Sequence, residues 1–165
     1  MKRDETGAEV PPDCSGCRFG IVTARFHHDV AERLLEGCRR GLRDCNVADR
    51  DVAVFDVPGC FELPIACRGL AAGDRFDGLV ALGAVIRGET AHFDFVAGEC
   101  ARGIMDVQLA TGKPIGFGVL TTENLEQALA RADRGGGDKG YGAAIAAASL
   151  VRLMADFSGA AARRN

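Results

Sequence analysis

Short apolar runs of strand length alternate four times with segments of helical periodicity, and this alternation restricts the fold more than any other feature of the chain. Phe19 to Thr23 (FGIVT) reads as the first strand. A helix follows, capped by Asp29, with Val30, Leu34, Leu35, Cys38 and Leu42 recurring on one face. Asp51 to Val57 (DVAVFDV) reads as a second strand, stopped by Pro58-Gly59. Glu62 to Ala72 is helical if Pro64 lies in the first turn, where a missing N–H costs little. Gly78 to Ile86 (GLVALGAVI) is nearly all apolar, the pattern of a strand buried on both faces. Thr90 to Ala110 reads as a long helix with Phe93, Val96, Cys100, Ile104, Val107 and Leu109 as its apolar stripe. Ile115 to Leu120 is the fourth strand, Asn124 with Gln127 resembles a capping box for a short helix to Ala132, and a last helix runs from about Gly140 to Phe157.

Strands that alternate with helices make an α/β fold, with a four-stranded, mainly parallel sheet flanked by helices on both faces. A 165-residue chain is one domain at roughly 150 residues per domain. The expected boundaries are a flexible tail over 1–17, the α/β domain over 18–158 and a short C-terminal tail over 159–165.

Composition removes several functional classes. With 20 Lys plus Arg against 23 Asp plus Glu, the net charge is −3, without the basic footprint of a nucleic-acid binder. No run of about 18 apolar residues is available to span a membrane. MKRDETGAEVPPD carries no apolar segment of a signal peptide, so a cytoplasmic protein is expected. The seven cysteines fit no fully paired disulfide set. Cys14 and Cys17 form the only C-x-x-C, with no second pair for zinc, and the cysteines read as small buried hydrophobes. His27 and His28 have no partner at metal-ligand spacing, and no metal is expected.

In a parallel sheet, ligands bind outside the carboxyl ends of the strands, where the strand order switches. The connectors there hold Arg25-Phe26-His27-His28, Gly59-Cys60-Phe61-Glu62 and Arg87-Gly88-Glu89-Thr90-Ala91-His92. Phe26 and Phe61 either sandwich a planar heterocycle or pack as lids on the helices. Glu62 either reads ring N–H donors or caps a helix. Gly88, Glu89 and Thr90 lead from an apolar strand into a helix, where backbone N–H groups meet an anion at the positive helix end. There is no Walker motif and no GxGxxG, which speaks against a nucleoside triphosphate or a dinucleotide. His92 falls in the first helical turn, where the dipole favours a neutral, proton-accepting ring; otherwise it merely covers the helix start.

Three blocks in order, VPGCFELP (57–64), LGAVIRGETAHFDFV (82–96) and GVLTTENLEQALARA (118–132), resemble the motifs of the 6,7-dimethyl-8-ribityllumazine synthases. The likeness runs from about Phe19 to Phe157 and includes Asp138-Lys139-Gly140. It implies a flavodoxin-like three-layer sandwich. The implied enzyme is a transferase of riboflavin biosynthesis that uses no cofactor. Its reaction condenses 5-amino-6-(D-ribitylamino)uracil with 3,4-dihydroxy-2-butanone 4-phosphate, and phosphate and water leave. By position, Phe26 resembles the aromatic that stacks on the pyrimidine. Cys60, Phe61, Glu62, Ala84, Val85 and Ile86 resemble the segments that hold the uracil and ribityl chain, and Phe117 the aromatic that closes the pocket from an adjacent subunit. Glu89 and Thr90, with Gly88, resemble the phosphate-binding backbone, and Arg131 the phosphate's guanidinium partner. Lys139 matches a basic position nearby, and His92 the proton-transfer residue. His27 and Cys60 depart from the residues usual at their positions.

The resemblance further implies a homo-oligomer, a pentamer alone or in a sixty-subunit shell, with riboflavin synthase as a candidate partner. Two other readings compete: a non-catalytic paralogue that binds lumazine or riboflavin, and a flavodoxin-like flavin carrier. The carrier would need a Ser-, Thr- and Gly-rich loop after the first strand, and Arg25-Phe26-His27-His28 is a poor one.

Overall fold

The computed structural model describes residues 10–162, with side chains to residue 158. Four parallel strands, β1 (Phe19–Ala24), β2 (Val52–Val57), β3 (Gly78–Ile86) and β4 (Ile115–Thr122), lie in the order β2-β1-β3-β4. The chain moves one way from β1 to β2 and the other way to β3, so the order reverses beside β1, at the strand ends where a crevice opens. Five helices cover the sheet: α1 (His28–Asp44), α2 (Leu63–Ala71), α3 (His92–Thr111), α4 (Leu125–Ala132) and α5 (Lys139–Ala162). The expected single α/β layer sandwich is what the chain forms.

Each strand face feeds its own core, because successive side chains point to opposite sides. From β3, Val80, Leu82 and Ala84 join Leu34, Leu42, Ala128, Ala144 and Ala148 under α1, α4 and α5. Leu79, Ala81 and Val85 join Leu63, Cys67, Cys100 and Ile104 under α2 and α3. The Ala-rich run of α5 lets helix and sheet backbones come close. A Cβ at Gly140 would sit 2.0 Å from the Leu34 carbonyl oxygen, and one at Gly116 would sit 2.2 Å from that of Ala143. Only glycine fits either place.

Several local expectations shift. α1 starts at His28 with His27 as its cap residue, so Asp29 lies inside the first turn rather than before it. The reason is backbone geometry: the His27 carbonyl already accepts the Ala31 N–H at 2.9 Å. Residues Cys60–Glu62 form a 3-10 turn of their own before α2, with Pro64 at its start. α3 begins at His92, two residues later than the pattern suggests. Leu109, expected in the α3 stripe, is 75% exposed, since the helix turns that side away from the sheet. β4 runs two residues further, to Thr122.

The segment expected to be a tail is packed from Cys14 onward. The Cys14 N–H donates to the Cys45 carbonyl at 2.8 Å, its Sγ lies 3.6 Å from the Ala148 carbonyl oxygen, and its side chain is fully buried. Residues 1–9 and 163–165 lie outside the described ones, while α5 continues to Ala162, past the expected boundary at 158. The cysteines in the described chain are free, and six of the seven are buried. Burial pushes the Cys38 and Cys67 thiols up to about 12, so they act as apolar filling.

Candidate active site

Three of the four connectors at the carboxyl ends of the strands converge on one cleft of about 680 Å³. Its lining includes Phe26 after β1, Cys60, Phe61 and Glu62 after β2, Ala84, Val85 and Ile86 at the end of β3, and Gly88, Thr90 and His92 at the start of α3. A cavity of this size accepts a bicyclic heterocycle with a polar chain.

The aromatic pair is presented to solvent rather than packed away. Phe26 is 80% exposed and Phe61 59% exposed, so both rings are open to a ligand or to a neighbouring chain. Phe26 is held from behind. Arg25 donates its backbone N–H to Val57 at 3.0 Å and pairs its side chain with Asp56, tying the ends of β1 and β2 together. The His27 ring meets Phe26 edge-on, with centroids 5.0 Å apart and planes at 85°. His27 is half-buried, and that burial lowers its pKa, so the ring favours its neutral form.

The floor is apolar and chemically quiet. Cys60 Sγ lies 3.5 Å from the Ala84 carbonyl oxygen, and burial pushes the thiol up to about 12, so no thiolate nucleophile is available near neutral pH. Across the sheet, a Cβ at Gly83 would lie 2.7 Å from this sulfur, so Gly83 leaves Cys60 its room. Glu62 caps with one oxygen: its Oε2 accepts the Gly59 N–H at 2.9 Å and closes the turn that carries Phe61.

The start of α3 provides donors. Its cap residue, Ala91, has no side-chain cap, and Thr90 Oγ1 accepts the His92 N–H only at 3.4 Å. The Asp94 N–H donates to the Ala91 carbonyl at 3.1 Å, which leaves the Phe93 N–H as the first-turn donor at the positive end of a 20-residue helix. His92 is the first residue of that helix and exposed. Glu89 is exposed too, but it does not line the cleft.

Phe117, Arg131 and Lys139 are elsewhere. They line a second cleft of about 470 Å³ between β4, the end of α4 and the start of α5. Phe117 is 46% exposed, on the outer strand of the sheet. Arg131 Nη1 donates to the Gln127 carbonyl of its own helix at 3.3 Å, and no carboxylate engages it among the described residues. Lys139 opens α5, beside Asp138, which Arg40 holds in an ion pair from α1. The structure thus gathers ten of the expected site residues into one cleft and three into another.

Five residues that line the cleft were not among the expected site residues: His27, Gly59, Phe93, Phe95 and Val96. The last three follow from helical spacing once α3 is known to start at His92 and to point its first turns at the cleft. Among the described residues, no group of three or more His, Cys, Asp or Glu is placed to hold a metal ion, and no helix is long and apolar enough to cross a membrane. A family model described as 6,7-dimethyl-8-ribityllumazine synthase matches residues 16–155 of the chain.

Proposed function

Since the chain belongs to the 6,7-dimethyl-8-ribityllumazine synthase family, we propose that its two clefts are complementary halves of one active site, completed between neighbouring chains. The reaction of the family is the condensation of 5-amino-6-(D-ribitylamino)uracil with 3,4-dihydroxy-2-butanone 4-phosphate, a step of riboflavin biosynthesis. The enzyme acts on small molecules, and its family assembles into oligomers.

The observation that carries the proposal is the separation of the residues. Among the described residues, the cleft with the aromatic rings and His92 is lined by no basic side chain but its two histidines, while Arg131 and Lys139 line a cleft with neither the flat slot nor the α3 terminus. A phosphorylated ketone and a uracil need both sets within a few ångströms. In a cyclic ring every interface is heterologous, so one face of each chain meets the opposite face of the next. Exposed apolar side chains on α3, Phe95, Met105 and Leu109, support such contacts. The proposed ring is a pentamer, alone or within a sixty-subunit shell. The proposed setting is the cytoplasm, with riboflavin synthase, which consumes the product, as a partner.

In this reading Phe26 and Phe61 stack on the pyrimidine, with Cys60, Glu62, Ala84, Val85 and Ile86 along the ring and ribityl chain. Phe117 of the next chain closes the pocket. Gly88, Glu89 and Thr90 offer backbone donors to the phosphate, which Arg131 and Lys139 of the next chain neutralise. The amine attacks the ketone to give a carbinolamine, and loss of water gives a Schiff base. Elimination then expels phosphate into an anion site already formed. Ring closure by the ribitylamino nitrogen and loss of a second water complete the lumazine. His92 moves protons in these steps, and most of the acceleration comes from holding the two substrates together.

Two experiments address this account. Mixing the purified chain with both substrates yields lumazine absorbance and fluorescence; a folded oligomer that binds riboflavin yet forms no product contradicts catalysis and favours a non-catalytic binder. Replacing Phe26 with alanine weakens pyrimidine or riboflavin binding by about 1–3 kcal/mol, the worth of a desolvated aromatic stack. Unchanged affinity in a fluorescence titration removes Phe26 from the ring-binding role.

A further inference from the structure

The loop proposed to hold the phosphate, Gly88 to Ala91, is exposed, and it is tied to α3 by the Thr90 hydroxyl, which accepts the His92 N–H at 3.4 Å, and by the Ala91 carbonyl, which accepts the Asp94 N–H at 3.1 Å. What limits its shape lies at its two ends. Arg87, the first residue after β3, donates its backbone N–H to the Thr122 carbonyl at 2.9 Å and so stays in register with β4. Its side chain then reaches over the loop to α3. Nη2 lies 2.9 Å from Asp94 Oδ1 and Nη1 lies 3.3 Å from Oδ2, a two-pronged contact. Nε lies 3.2–3.3 Å from the Glu123 carboxylate at the end of β4. The guanidinium carbon lies over the Phe93 ring, 4.1 Å from its centre, and Phe93 lines the cleft next to His92.

We propose that Arg87 is a positioning residue for the reaction: with Asp94, Glu123 and Phe93 it clamps the start of α3 to the ends of β3 and β4, setting the phosphate loop and His92 in place. This rests on the reading of Gly88–Thr90 and His92 given above. The chemistry calls for arginine. Only a planar fork can grip one carboxylate with two nitrogens, reach a second with its third and still sit over an aromatic ring. With those three nitrogens engaged and its charge met by two carboxylates, the group is poorly placed to serve as a phosphate ligand itself. As exposed ion pairs, these contacts add little to stability, so their effect belongs in the kinetics.

Steady-state kinetics on the full-length oligomer test the clamp. Arg87→Met lowers kcat/KM for the butanone phosphate roughly ten- to a hundredfold, the usual cost of misplacing reacting groups by about 1 Å. The KM for the pyrimidine stays within about twofold, because Phe26 and Phe61 hang on other strands. Asp94→Asn reproduces the loss, and combining it with Arg87→Met makes matters little worse, since both break one unit. Arg87→Lys keeps the charge but lacks the fork and does not rescue. Rescue by lysine, or tighter butanone phosphate binding in Asp94→Asn, overturns the proposal and makes Arg87 a phosphate ligand. Wild-type kinetics in a folded Arg87→Met enzyme, or equal rises in KM for the two substrates, also overturn it. Should Arg87→Met fail to fold, Asp94→Asn decides alone, wild-type kinetics there counting against the clamp. The split between substrates is read independently of kcat in His92→Ala, so the clamp and the acid–base assignment fail separately.

Discussion

Replacing Arg131 with alanine raises the apparent KM for 3,4-dihydroxy-2-butanone 4-phosphate roughly thirty- to several-hundredfold and leaves that for the pyrimidine nearly unchanged. The range corresponds to about 2–4 kcal/mol for a charge-assisted pair lost from a site closed to water. Arg131 is exposed and, among the described residues, engages only the carbonyl of Gln127, so the guanidinium is available to an anion. The upper end of the range requires the neighbouring chain to cover the site. Equal effects on both substrates would place Arg131 outside the phosphate subsite.

His92→Ala acts on a different parameter. Here kcat falls about ten- to a thousandfold while both substrates still bind, because the ring contributes proton transfers rather than affinity. A substantial rate remains, since approximation of the amine and ketone does not depend on the imidazole. If kcat in the folded variant equals that of the wild type, the acid–base role is wrong and the α3 terminus serves binding alone.

Much of the fold was legible because its signals are local. The unbroken apolar run of β3 announces a strand covered on both faces, and its residues do divide between two cores. Asn124 caps α4 as its spacing suggests, accepting the Gln127 N–H at 2.9 Å. Signals that depend on tertiary contacts were less legible. Nothing in the Pro-containing leader predicts that Cys14 docks on Cys45 and Ala148, since that contact spans much of the chain. Thr90 looks like the start of α3, yet its hydroxyl leans toward the His92 N–H from outside the helix.

The site shows the same division. Residues at the ends of β1, β2 and β3 could be listed from the alternation alone, because parallel topology brings those ends together. Which of them face one cleft could not. Phe117 and Arg131 entered through the motif resemblance, and only the position of β4 at the sheet edge shows how far their cleft lies from the other set. Gly59, Phe93, Phe95 and Val96 were missed because their part depends on the turn geometry before α2 and the exact start of α3.

The account stands or falls on whether a working site needs two chains. His92→Ala and Arg131→Ala chains, each deficient alone, are unfolded, mixed in equal amounts and refolded, with mass spectrometry establishing that the rings are mixed. Activity is read at a butanone phosphate concentration far below the KM of the Arg131 variant. A site is intact only where an Arg131→Ala chain supplies His92 and a His92→Ala chain supplies Arg131, which random assembly gives at about one site in four for heterologous interfaces. The shared-site account predicts recovery to roughly a quarter of wild-type activity. Activity that stays at the average of the two variants in demonstrably mixed rings would contradict it and put each site within a single chain.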